Sequence, residues 1–182
     1  LNADRDFQRI AFRLGYKPTQ DTEPNAVFDI DVESIEYSLP PGYSLISLAE
    51  DYDLGKFHRV LWRGFNHPGE PPTTAEELES RRRSISGPDL NPELCIIVVS
   101  AEGEYASYCG MWYDRTTENA LVEPVATDPG FRKLGLGKAA VLEAIRRCGQ
   151  LGAKQAYVGS SQQFYYQIGF HPIPASTFWE VR

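Results

Sequence analysis

Residues 120–140 read ALVEPVATDPGFRKLGLGKAA, and the fold turns on what this stretch can be. Residues 120–127 are apolar and β-branched enough for a strand, and Asp128-Pro129-Gly130 breaks them as a loop. A helix follows over residues 137–148, its start marked by Gly135 and Gly137. A helix start leaves backbone amides unpaired and carries partial positive charge, so a glycine-rich entry to it can cradle a phosphate or pyrophosphate. Spacing excludes a nucleotide P-loop, because Gly137-Lys138 is followed by Ala139 and the upstream glycine position holds Arg132. A dinucleotide fingerprint is met in form by Gly135, Gly137 and Ala140. However, seven residues separate the strand from that first glycine, and no carboxylate ends the next strand, where Gly159 and Ser160 stand.

Upstream, residues 44–48 read as a strand and 51–65 as a helix with Leu54, Phe57, Val60, Leu61 and Phe65 on one face. Thr73-Thr74-Ala75-Glu76 resembles the capping signal of a second helix reaching residue 84. Residues 95–100, 105–113 and 120–127 are strand-like runs separated by the turn signals Glu102-Gly103 and Thr117-Glu118-Asn119. After the helix come a strand at 155–159, a short helix at 161–168 and a last strand around 177–181. The order βααβββ, then αβαβ, defines a mixed α/β (α+β) layer with antiparallel strands first and a βαβ unit second.

Arg132-Lys133-Leu134-Gly135-Leu136-Gly137, preceded by Val125-Ala126-Thr127-Asp128-Pro129, resembles the Arg/Gln-x-x-Gly-x-Gly/Ala acyl-CoA loop of the GNAT superfamily of N-acetyltransferases. Downstream, Tyr165-Tyr166-Gln167-Ile168-Gly169-Phe170 is similar to that family's Tyr-x-x-x-Gly-Phe ending. The resemblance covers residues 43–182 and agrees with the element order. It implies a mostly antiparallel central sheet with helices on both faces and a splayed strand pair that receives acetyl-CoA. The strand backbone at Val125, Ala126 and Thr127 would hold the pantetheine arm. The amides of Lys133, Leu134, Gly135, Leu136, Gly137, Lys138 and Ala139 would hold the pyrophosphate, with Arg132 and Lys138 adding charge. Pro124 suits the splay because it cannot donate to a ladder, and an ordinary edge-strand proline reads the same way.

Tyr165 occupies the family's general-acid position. A phenol of pKa ~10 protonating a thiolate of ~8.5 works uphill by roughly 2 kcal/mol, which a local environment can offset. An aromatic packed under the sheet is the alternative reading of Tyr165. An alkylammonium acceptor is neutral at pH 7 in about one molecule in 2,500, so a base or a desolvating pocket is required. Glu123 is the candidate base, two residues before Val125 and hence on the same side of an extended strand; a carboxylate on a solvated strand face is the alternative. Trp62, Phe65 and Trp112 are candidate walls of an acceptor pocket, or else core aromatics. The implied activity is acetyl transfer from acetyl-CoA to a primary amine of a small molecule. A CoA-binding regulatory or interaction module without transfer is the rival.

The 182 residues carry 18 Lys plus Arg against 25 Asp plus Glu, a net charge of −7 that argues against a nucleic-acid partner. Arg81-Arg82-Arg83, the one dense basic run, reads as a solvated helix face. Cys95, Cys109 and Cys148 are odd in number, far apart and without metal-ligand spacing, so they read as buried free thiols and no metal is expected. The apolar run at 94–99 is far too short for a membrane span, and no leader is visible, so a cytoplasmic protein without membrane contact is expected.

Residues 12–18 (FRLGYKP) match 166–172 (YQIGFHP) class for class at an offset of 154, and Gln8 aligns with Gln162. In both, a helical stretch ends at a glycine before an aromatic residue that opens a strand. We read residues 1–42 as the remnant of a preceding degenerate copy of the same domain followed by a linker over 19–42, within which the apolar stretch Ala26-Val27-Phe28 could form one strand, and residues 43–182 as the main domain. Tyr165 is matched by Ala11 in the earlier copy, which would therefore lack the acid. Leu1 in place of Met adds the expectation of a preceding segment that partners this domain within one chain.

Overall fold

The structure, a computed structural model, describes residues 4–181; Leu1, on which part of the expectation of a preceding segment rests, lies outside them. The elements in chain order are α1 (Arg5–Arg13), β1 (Tyr16–Asp29), β2 (Ser44–Ser47), α2 (Leu54–Gly64), α3 (Ala75–Arg83), β3 (Ile96–Val99), β4 (Tyr105–Asp114), β5 (Asn119–Thr127), α4 (Leu136–Gln150), β6 (Gln155–Val158), α5 (Gln163–Gln167) and β7 (His171–Val181). Short 3-10 turns lie at Val32–Ser34, Pro92–Leu94 and Pro129–Phe131. The architecture is mixed α/β, with antiparallel pairing in each of the described ladders β1–β7, β2–β3, β3–β4 and β4–β5. The described residues form two compact units, residues 30–156 and residues 4–29 with 157–181, and β6 crosses the division.

In the larger unit β2, β3, β4 and β5 pair in sequence order. Their alternating side chains feed two helices. Ile97 packs with Phe57, Val60 and Leu61 of α2, whereas Ile96 and Val98 point the other way, and α4 packs along β3, β4 and β5. The inner face of α4 is built from Leu136, Ala139, Ala140, Val141, Ala144, Ile145 and Cys148, all buried, and the small residues let it lie close to the sheet. Asp53 caps α2 by accepting from the Lys56 amide (2.9 Å), and Thr74 caps α3 by accepting from the Glu77 amide (3.3 Å). The solvated reading of the Arg81–Arg83 run holds for Arg82 and Arg83, which pair with Glu79. It fails for Arg81, whose Nε donates to Nδ1 of the buried His58 (3.2 Å).

In the smaller unit β1 runs antiparallel to β7 from Tyr16↔Val181 to Val27↔His171. This corrects two expectations: the strand allowed at residues 26–28 extends back through the expected linker at 19–25, and the last strand begins at His171 rather than near 177. Both strands carry prolines, Pro18 and Pro24 against Pro172 and Pro174; β1 is polar and largely exposed without an alternating pattern, whereas β7 alternates, with Ile173, Ala175, Thr177 and Trp179 half-buried, and it is the prolines at its start that disguise where it begins. They hold each other through the ladder, and only Ala26 and Val27 of β1 are buried.

Candidate active site

The start of α4 has the build expected of an anion cradle. Lys133 and Gly135 both adopt the left-handed conformation (φ 65° and 80°), and Gly135 occupies the N-cap with no side chain to satisfy the amides behind it. Successive amides turned inward by such residues form a concave, positively polarised nest. The amides of residues 133–138 donate to no described group; the Ala139 amide, expected among them, is instead taken by the first helical bond, to the Gly135 carbonyl (3.0 Å). Leu136 is buried and anchors the turn, while residues 132–135 and Lys138 are exposed.

The loop feeding this cradle is pinned by a charge pair that the sequence reading missed. Asp128 is 1% exposed and accepts from Arg63 Nε (2.6 Å), Arg63 Nη2 (3.3 Å) and the Gly130 amide (2.8 Å). Arg63 lies on the last turn of α2; hydrogen bonds to Asp128 and then Glu70 hold its pKa above the usual value. Arg132 also serves the scaffold: its Nε donates to the Thr127 carbonyl (3.0 Å) and its Nη2 to the Gly64 carbonyl (2.8 Å). The Thr127 hydroxyl meets the Ser107 hydroxyl at 2.8 Å, and Ser107 also donates to the Ala126 carbonyl.

Between Cys109↔Val125 and Met111↔Val122 the register slips, so Glu123 and Pro124 together oppose Gly110 as a β-bulge in β5, which breaks the regular i, i+2 relation expected between Glu123 and Val125. Only glycine fits at 110, because a Cβ there would sit 2.6 Å from the Glu123 carbonyl oxygen and 2.9 Å from the Tyr108 hydroxyl. The bulge opens onto a cavity of about 420 Å³ lined on one side by Glu123, Pro124 and Leu121. Phe57, Leu61, Ile85, Leu90, Tyr108 and Trp112 supply apolar walls, and Arg81 lines it as well. Of the aromatic residues expected at an acceptor pocket, Trp112 is in the lining. Trp62 and Phe65 are not: Trp62 stacks on His67 (4.4 Å) and donates to the Pro68 carbonyl (3.3 Å), and Phe65 is half exposed at the end of α2.

Tyr165 lies on α5 in the other unit, buried, with its ring edge-on to Phe164 (5.0 Å) and Phe170 (5.4 Å). The three cysteines are free and buried, as the sequence suggested. Burial raises the pKa of each thiol, that of Cys148 to about 12, so they stay protonated at neutral pH and none is prepared as a nucleophile. Among the described residues no helix is long and apolar enough to cross a membrane.

A bulged strand, an anion cradle at the next helix and a cavity beside the bulge define an acyl-CoA transferase class of fold. The profile of the Acetyltransferase (GNAT) family matches residues 54–170, and the chain belongs to that family. Members transfer acetyl groups from acetyl-CoA to amines. No curated protein matches the chain. Among solved structures, the chain is similar to a GCN5-related N-acetyltransferase from Sphaerobacter thermophilus, with TM-score 0.64 and 17% identity over 96% of this chain and 55% of that one. A tandem GNAT protein from the clavulanic acid biosynthesis pathway gives TM-score 0.67 and 15% identity, covering 97% of this chain and 58% of the other. The ribosomal-protein-S18-alanine N-acetyltransferase from Escherichia coli gives 0.55 and 19%, covering 72% and 79% respectively. The chain thus spans little more than half the length of the first two.

Proposed function

We propose that the chain moves an acetyl group from acetyl-CoA to the primary amine of a small molecule by direct attack, without an acyl-enzyme. The observation that carries this is the run of six partnerless amides at residues 133–138, entered through two left-handed residues and followed by a 15-residue helix. Such a run matches a pyrophosphate in charge and shape. Lys138 adds charge from the helix's first turn, and Arg132 retains one guanidinium nitrogen, Nη1, beyond the two that brace the loop. The backbone of Val125, Ala126 and Thr127 would hold the pantetheine arm.

Glu123, exposed at the bulge and lining the cavity, takes the proton of the incoming ammonium, directly or through water. Tyr165 supplies the proton that the departing thiolate needs. With the thiols protonated, no acyl-enzyme step is required of this chain. Tyr165→Phe tests the assignment. A transferase is expected to lose on the order of 10²- to 10⁴-fold in kcat while its acetyl-CoA affinity is kept. Unchanged turnover would remove Tyr165 from the chemistry, and a native chain that binds acetyl-CoA but acetylates no amine would be the regulatory or interaction module instead.

A duplication would account for residues 5–29. α1, Gly15 and β1 repeat α5, Gly169 and β7, and both glycines have positive φ (86° and 114°). The two strands pair antiparallel about a centre near Thr22↔Thr177 and Glu23↔Ser176, where Thr22 and Ser176 are equivalents in the repeat. This local two-fold is what two copies of one closing helix–strand would make. The α1–β1 segment is then the tail of a second copy of the domain, which would partner this one within a chain. Three unpaired thiols fit work in the cytoplasm.

A further inference from the structure

The cavity at the bulge holds one positive and one negative side chain, and neither is neutralised by the protein. Arg81 enters no ion pair among the described residues, and Glu123 enters none either. Arg81 is half-buried, and burial pulls its pKa below the usual value, with the charge of Glu77 opposing that pull. A half-buried guanidinium that enters no ion pair is well suited to an occupant that supplies a carboxylate.

The guanidinium is also oriented. His58 is buried, and its Nε2–H donates to the Pro72 carbonyl (3.1 Å), which leaves Nδ1 as an acceptor for Arg81 Nε (3.2 Å). His58 so placed holds Arg81 from behind. The two terminal nitrogens, Nη1 and Nη2, then remain for an end-on pair of hydrogen bonds to a carboxylate.

Resting on the acetyl-transfer reading above, we infer that the acceptor is an amino carboxylate with an apolar body, its carboxylate on Arg81 and its ammonium toward Glu123. The lining carries one cation and one anion among apolar walls, which matches a net-neutral zwitterion. A phosphate dianion would leave charge uncompensated against a single guanidinium. About 420 Å³ falls within the range of small-molecule sites and accommodates an amino acid with a branched or aromatic side chain. Arg81 is then a residue that determines specificity, and His58 a positioning residue behind it.

The test compares acceptors that differ only in the carboxylate: phenylalanine against phenethylamine, tryptophan against tryptamine, leucine against 3-methylbutylamine, at saturating acetyl-CoA. The native chain is expected to favour the amino acids by about 10- to 100-fold in kcat/KM, mostly through KM. Arg81→Gln is expected to abolish that preference while the acetyl-CoA-induced rise in Tm stays intact, and Arg81→Lys to restore part of it. Equal kcat/KM for the matched pairs, or a preference that survives Arg81→Gln, overturns the inference and leaves the transferase reading standing. Absence of transfer to every acceptor, with acetyl-CoA demonstrably bound, overturns both. The matched pairs on the native chain decide the point even if a variant at Arg81 folds poorly.

Discussion

Asp128 follows β5 with a side chain that is 1% exposed; its Oδ2 accepts from Arg63, and its Oδ1 from both Arg63 and the Gly130 amide in the turn of Pro129–Phe131. It therefore joins α2 to the loop that presents the cradle. Asp128→Asn keeps an acceptor for the Gly130 amide and removes the charge that Arg63 faces. It is expected to cost ~2 kcal/mol, a fall of about 4 to 8 °C in Tm, and to weaken acetyl-CoA binding; an unchanged Tm would mean that Arg63 repairs itself with Glu70 alone. Glycines and a basic residue at fixed spacing were visible in the sequence, and at Gly135 the left-handed turn into α4 gives the glycine its physical reason. Asp128 and Arg63 were not, since their contact spans 65 positions. Arg81 was hidden by its neighbours Arg82 and Arg83, although it shares a helical face with Leu78 and Ile85 at i, i+3 and i+7 spacing, and that periodicity was the signal available.

At the scale of elements, the strand–loop–helix of β5 and α4 and the hairpin before it were legible to within a few residues, because apolar alternation and turn residues agree there. The β1–β7 ladder was not. β1 is proline-bearing and polar on both faces, and in β7 Pro172 and Pro174 hide the start of a strand whose later residues do alternate. α1 lies beside this pair, with Phe7 and Phe12 edge-on to Trp179 (5.9 and 5.0 Å) and with Ile10 and Leu14 55% and 67% exposed. If those two residues belong to contacts with a second copy of the domain rather than to this core, Ile10→Glu with Leu14→Glu is expected to move Tm by no more than about 2 °C and to reduce concentration-dependent association in ultracentrifugation. A fall of many degrees would place both side chains in the core of the smaller unit.

For the whole molecule, family and fold agree with a reading that began from twenty-one residues, and the acceptor is what the sequence left open. Pocket walls come from α2, α3, β4 and β5, which are distant in sequence, and only the folded chain brings Arg81, Trp112 and Glu123 around one cavity. The central claim is that the start of α4 holds the pyrophosphate of acetyl-CoA. Its most direct test is the Tm of the chain with acetyl-CoA at about 100 times its Kd, with ATP and NADH as controls. Specific binding is expected to add roughly 2.7 kcal/mol, a rise of about 5 to 10 °C with acetyl-CoA alone. No rise at that excess, or an equal rise with ATP or NADH, would contradict the assignment of the cradle.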